Sequence, residues 1–138
     1  MKTYILTISL FFTLTIAYSQ SYKVIVNSDN STASLTSKEV SDIFLKRTSR
    51  WDSGVAILPV DLTPNSSVRA TFTQEVHGRN VNAIRSFWQQ AAFSGAGSPP
   101  PEQPNDEAVV NYVRNNPGAI GYVSAAASTV GVKTITVR

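Results

Sequence analysis

Val55-Ala56-Ile57-Leu58-Pro59-Val60-Asp61-Leu62 runs through Thr63-Pro64-Asn65-Ser66-Ser67 into Val68-Arg69-Ala70-Thr71-Phe72-Thr73. The first segment is apolar and rich in β-branched residues, so it reads as a strand, and Pro59 places it at an edge or a strand end. Proline and small hydroxyl or amide residues then end a loop. Val68, Phe72 and Val76 recur every four residues behind it, the spacing of one buried helix face. Arg69 falls off that stripe, on the first turn. Strand, loop and helix in direct succession form the repeating unit of an α/β fold.

A helix starting at Ser66 aims free backbone N–H groups at one spot, with the Ser66 and Ser67 hydroxyls and the Arg69 guanidinium nearby. That combination suits an oxyanion such as phosphate. Pro-Asn-Ser is also ordinary capping chemistry, and a first-turn arginine can simply be solvated.

The same alternation extends outward. Tyr22–Val26 is a short strand, and 27–34 a loop of small polar residues. Thr36-Ser37-Lys38-Glu39 reads as a capping box, with Val40, Ile43 and Phe44 at helical spacing behind it. The region 47–54 is a turn containing Trp51. Asn80 caps a helix whose buried stripe is Val81, Ile84, Phe87, Trp88 and Ala91. Residues 94–104 hold four of the seven prolines and read as an irregular loop. Asn105 or Asp106 caps a helix through Val109, Val110 and Val113, which Asn116-Pro117-Gly118 ends. Strands over 119–124 and 132–137 finish the chain. The expected architecture is a single, three-layer-like α/β lobe, a mixed sheet flanked by helices.

Lys2 supplies a short basic start, Tyr4 to Ala17 carry no charge, and Ala17-Tyr18-Ser19 has small residues at its first and third positions. This is the form of a signal peptide over residues 1–19, too short an apolar run for a comfortable membrane span. The expected mature product is exported, without stable membrane insertion, and is one domain over 20–138, since 138 − 19 = 119 residues suit one domain. There is no cysteine, which excludes thiol catalysis and cysteine metal sites. Losing Lys2 takes the formal charge from +3 to +2, and the remaining basic residues form no run, against nucleic-acid binding. His77 is the only histidine. No G-x-S-x-G surrounds a serine and no second histidine or cysteine accompanies His77, so no hydrolase triad or zinc site is expected. Asp29, Asp52 and Asp61 are paired by nothing in the sequence. Trp88 is expected in the core, and Trp51 as an anchor of its turn.

Several segments together resemble the periplasmic phosphate-binding proteins of ABC transporters. The run 35–47 followed by Trp51-Asp52-Ser53-Gly54 is similar to that family's helix, turn and tryptophan. Ile57-Leu58-Pro59-Val60-Asp61 is similar to the strand before its anion loop. Ser66-Ser67-Val68-Arg69 with Phe72-Thr73 falls where the family carries Ser-Gly-Thr, often followed by arginine, then phenylalanine. Pro117-Gly118-Ala119-Ile120-Gly121-Tyr122-Val123-Ser124 matches the family's most recognisable motif nearly residue for residue. Ser67-Val68 replaces the Gly-Thr pair, and Leu62 stands where longer members often place an arginine. The resemblance implies the hinge strand plus one lobe of a type II periplasmic binding protein, a short single-lobe member. It implies an exported, non-enzymatic solute-binding module, periplasmic or extracellular in a bacterium, with no cofactor or metal. Phosphate or a similar oxyanion is expected at Ser66, Ser67 and Arg69, with Thr63 and Asn65 in second rank. A homodimer or protein partner is expected to complete the cleft. The alternative is a structural or protein-interaction module that kept the lobe and lost the ligand. On the first reading, Arg69→Ala abolishes binding and leaves the fold intact.

Overall fold

The computed structural model describes residues 21–138; the expected leader over 1–19 lies outside the described residues. In chain order the elements are β1 (Tyr22–Asn27), β2 (Ser34–Leu35), α1 (Ser37–Phe44), β3 (Leu58–Pro59), β4 (Asp61–Leu62), α2 (Ser67–His77), α3 (Val81–Phe93), β5 (Glu102–Gln103), α4 (Asp106–Asn115), β6 (Ala119–Ser124) and β7 (Val132–Val137). The main sheet has the order β2-β7-β1-β6-β3. β1 lies at its centre, antiparallel to both β6 and β7, while β2 runs parallel to β7 and β3 parallel to β6. The sheet is therefore mixed, as expected.

Alternation along β6 builds three layers. Tyr122 stacks on Phe72 of α2, with ring centroids 3.8 Å apart, and lies beside Phe44 of α1. The next position back, Gly121, faces α4: a Cβ there would lie 2.7 Å from Val109 Cγ1 and 2.9 Å from Val60 Cγ1. Gly118 is confined even more tightly, because a Cβ would meet the Ala56 carbonyl oxygen at 1.9 Å. The Gly118 carbonyl accepts a hydrogen bond from Trp51 Nε1 at 3.0 Å. Both glycines of the 117–124 motif are thus required by close packing, and Trp51 anchors its turn to that motif. Leu45, Ile84 and Trp88 form a separate small cluster under α3, flanked by the partly buried Phe87 and Ala91.

Local signals hold at the helix starts. Thr36 and Glu39 make the reciprocal capping box, and Asn80 and Asn105 cap α3 and α4 with their side-chain oxygens. Three expectations are corrected. The single strand over 55–62 divides at Val60: β3 joins the main sheet, whereas β4 pairs in parallel with β5 in a second, two-stranded sheet. Accordingly 94–104 is not wholly irregular; the Asp61 N–H donates to Pro101 O at 2.9 Å and the Thr63 N–H to Gln103 O at 3.2 Å. Finally, the buried stripe of α2 runs through Arg69, Phe72, Thr73 and Val76, with Val68 only partly buried. Arg69 lies on that stripe rather than off it, because carboxylates from two strands receive its charge.

Candidate anion-binding site

α2 begins where β4 ends. Ser66 is in the extended region (φ −71°, ψ 128°) and its Oγ accepts the Arg69 N–H at 3.2 Å, while its carbonyl accepts the Ala70 N–H. First-turn N–H groups have no intrahelical acceptor, so those of Ser67 and Val68 remain as donors at this end. Ser67 and Asn65 are exposed, and Thr63 and Ser66 partly so. Thr63 Oγ1 donates to Asn65 Oδ1 at 2.8 Å, which leaves the Asn65 amide nitrogen free to donate. Thr63, Asn65, Ser66 and Ser67 therefore share one exposed turn.

Arg69 stands behind this turn, not in it. The residue is 5% exposed, and Nη1 donates to Leu62 O at 2.8 Å and to Glu102 Oε2 at 2.5 Å. Nη2 lies 3.9 Å from Asp61 Oδ2. Tyr122 Oη donates to Asp61 Oδ1 at 2.8 Å and accepts the Leu62 N–H at 3.2 Å. Burial pushes the Asp61 carboxyl up to about 6 and the nearby Glu102 adds to it, while Arg69 and the Tyr122 hydroxyl pull the other way. The Tyr122 hydroxyl is raised well above its ordinary range, first by burial and then by Asp61. The guanidinium is thus locked in a buried polar network, and Arg69→Ala cannot be neutral to the fold.

Asp61, Glu102 and Tyr122 were not among the expected site residues. Asp61 carried a weak signal, a lone carboxylate ending an apolar strand eight positions before an arginine. Glu102 carried none, because its approach depends on the β4–β5 pairing. Beside the turn, Pro64 and Asn65 share a shallow concavity with Asn80, Asn82 and the exposed Arg85. A larger groove of about 610 Å³, lined in part by Asp29, Trp51, Asp52, Pro117 and Arg138, contains none of the five expected residues. Its lining comes mainly from the β1–β2 segment, α1 and the turn 48–57, and includes no residue of α2.

His77, at the other end of α2, bonds to Ser41 Oγ through Nδ1 at 2.7 Å. Burial, followed by Arg79, Arg47 and Arg69, lowers its pKa to about 4, so the ring is neutral at pH 7 and meets no carboxylate. Among the described residues there is no group of three histidine, aspartate or glutamate side chains that could hold a metal. Nor is any helix among them long and apolar enough to cross a membrane.

The family model of the PBP superfamily domain matches residues 13–136. The chain belongs to the PBP superfamily. This PBP domain is similar in fold to an ABC-type phosphate transport receptor from Vibrio cholerae, with TM-score 0.68, 17% identity, and coverage of 85% of this chain and 46% of that one. A structure with bound phosphate from Clostridium perfringens gives TM-score 0.62 at 20% identity, over 85% and 44% of the two chains. PstS from Borrelia burgdorferi gives 0.63 at 13% identity, over 86% and 47%. The PBP domain thus spans less than half the length of these solved structures and corresponds to one lobe of them. No curated protein sequence matches it.

Proposed function

We propose that this PBP domain is an exported, non-enzymatic solute-binding module that takes phosphate or a similar oxyanion at the start of α2. The Ser67 and Val68 N–H groups, the Ser66 and Ser67 hydroxyls and the Asn65 amide are the donors, Thr63 orients that amide through its bond to Asn65 Oδ1, and Arg69 acts on the anion from behind the turn. The observation that carries this reading is the exposed, hydroxyl-rich helix start with a buried guanidinium directly beneath it. On the same reading residues 1–19 are a signal peptide and the product is periplasmic or extracellular. An open lobe leaves the anion half hydrated, so affinity belongs in the micromolar-to-millimolar range, about −8 to −4 kcal/mol.

Calorimetric titration with phosphate, beside sulfate, tests the site. The informative variant is Ser67→Pro: proline is well tolerated at the first helical position, Ser66 already has the extended backbone that precedes a proline, and one N–H and one hydroxyl are lost. Saturable binding in the wild type, weakened at least several-fold in Ser67→Pro with an unchanged melting temperature, is the expected outcome. A flat wild-type titration at millimolar phosphate sinks the reading.

A second reading draws on the engagement of Arg69 by Leu62 O and Glu102. Its charge is met within the lobe, as in a structural or protein-interaction module that no longer needs a ligand. That reading predicts no anion binding together with a stable dimer or a protein partner, and light scattering after size exclusion separates a monomer from a dimer.

A further inference from the structure

We propose that Glu102 is an internal competitor for the ligand: its carboxylate holds the one side of the Arg69 guanidinium that an incoming oxyanion could take. The proposal rests on reading the α2 start as an oxyanion site. Three acceptors surround the guanidinium: Leu62 O at 2.8 Å, Asp61 Oδ2 at 3.9 Å and Glu102 Oε2 at 2.5 Å. Leu62 O is backbone and immovable. Asp61 is buried and held by the Tyr122 hydroxyl. Glu102 differs from both, because its side chain is 43% exposed and, among the described residues, its carboxylate bonds to the guanidinium alone.

Exchange at this position needs no backbone movement. Strand β5 is fixed to β4 through the carbonyls of Pro101 and Gln103, so rotation of the Glu102 side chain alone uncovers Nη1. Two carboxylates facing one guanidinium also give the cluster an excess of negative charge, which repels a phosphate approaching the turn. With Glu102 neutral, Asp61 still balances Arg69 from inside, and the outward N–H donors become available at a partly desolvated spot where a full charge acts strongly. Ligand entry is therefore an exchange of one oxyanion for another, and the proline-flanked segment 98–104 carries the anion that must leave.

The test is titration of the purified protein with inorganic phosphate and with sulfate, for the wild type, Glu102→Gln, Glu102→Ala, Glu102→Ala/Arg69→Met and Glu102→Ala/Ser67→Pro, each with a thermal melt. Both single variants are expected to bind phosphate at least tenfold more tightly than the wild type, and the gain is expected to vanish in either double variant. The exposed position of Glu102 keeps the single variants folded, and Ser67→Pro carries the second arm if the Arg69 variant does not fold. Unchanged or weaker binding in the single variants overturns the proposal; weaker phosphate binding with sulfate unaffected does so by making Glu102 an acceptor for a protonated phosphate. Failure of the underlying reading has its own signature. A silent wild type with a binding Glu102→Ala upholds the competition and overturns the native phosphate-binding role, a silent set overturns both, and a binding wild type with indifferent Glu102 variants overturns the competition alone.

Discussion

α2 and α4 begin at the same end of the sheet, yet their N-termini are treated in opposite ways. α4 opens with Asp106 and Glu107 in its first turn, and Asp106 accepts hydrogen bonds from the Ser124 N–H and Oγ at the end of β6. That helix supplies its own anion and ties it down. α2 has no acidic residue in its first turn, and the partly exposed Glu102 carboxylate accepts from the Arg69 side chain. The same electrostatic demand is met from within at one helix and left open at the other. The absence of a first-turn carboxylate at α2 is one reason the proposed anion site falls there and not at α4.

The most disruptive way to probe the contrast is Arg69→Met, which strands the buried Asp61 carboxylate; a loss of about 3–5 kcal/mol is expected in urea denaturation. Adding Asp61→Asn should recover part of that loss, and no recovery would show that packing of the arginine stem, not charge, dominates. Asp106→Ala should cost about 1–2 kcal/mol through the lost Ser124 bonds and first-turn charge. The same denaturation checks that cost. Adding Glu107→Ala removes the last first-turn carboxylate of α4, and phosphate titration of that double variant checks whether it becomes a start like that of α2. Ser66→Ala should cost about 1 kcal/mol as a lost N-cap, against under about 0.5 kcal/mol for Ser67→Pro. If those two costs were reversed, the assignment of Ser66 as cap and Ser67 as first helical residue would be wrong.

The gentlest probe is pH. Asp61 has a folded pKa near 6, above its ordinary 3.8, so the folded state holds the extra proton and the wild type should lose stability relative to Asp61→Asn as pH rises from 3.8 toward 6. His77 has a folded pKa near 4, below its ordinary 6.5, so the unfolded state holds the extra proton. The wild type should therefore gain stability relative to His77→Gln as pH rises from 4 toward 6.5. Difference curves for the two variants should have opposite slopes in the shared window, which isolates the two ends of α2 from the other carboxylates.

Much of this lobe could be read before any coordinates. The capping box at Thr36 and Glu39, the Asn80 and Asn105 caps and the strands β6 and β7 are written in signals that span only a few residues. The loop 63–67 could be read for the same reason, whereas the close packing that requires glycine at 118 and 121 rests on Ala56 and Val109, which no local signal names. What escaped was set by distant partners. Two-residue strands such as β4 and β5 have no period to detect, and their pairing joins residues about forty positions apart. The burial of Arg69 depends on Asp61 and Glu102, which that pairing brings together, so the stripe of α2 was phased on Val68. The resemblance of the 117–124 motif to phosphate-binding proteins identified the fold, while the Glu102 carboxylate on Arg69 was invisible to it.

The central position of β1 bears on how quickly the sheet can form. Val24 lies opposite both Tyr122 and Ile135, so the earliest strand of the sheet has its two neighbours in the last stretch of the chain. Closing so long a loop adds little to the equilibrium cost, but such distant pairing slows folding relative to a chain built on local contacts. Until β6 and β7 are available, both edges of β1 are bare.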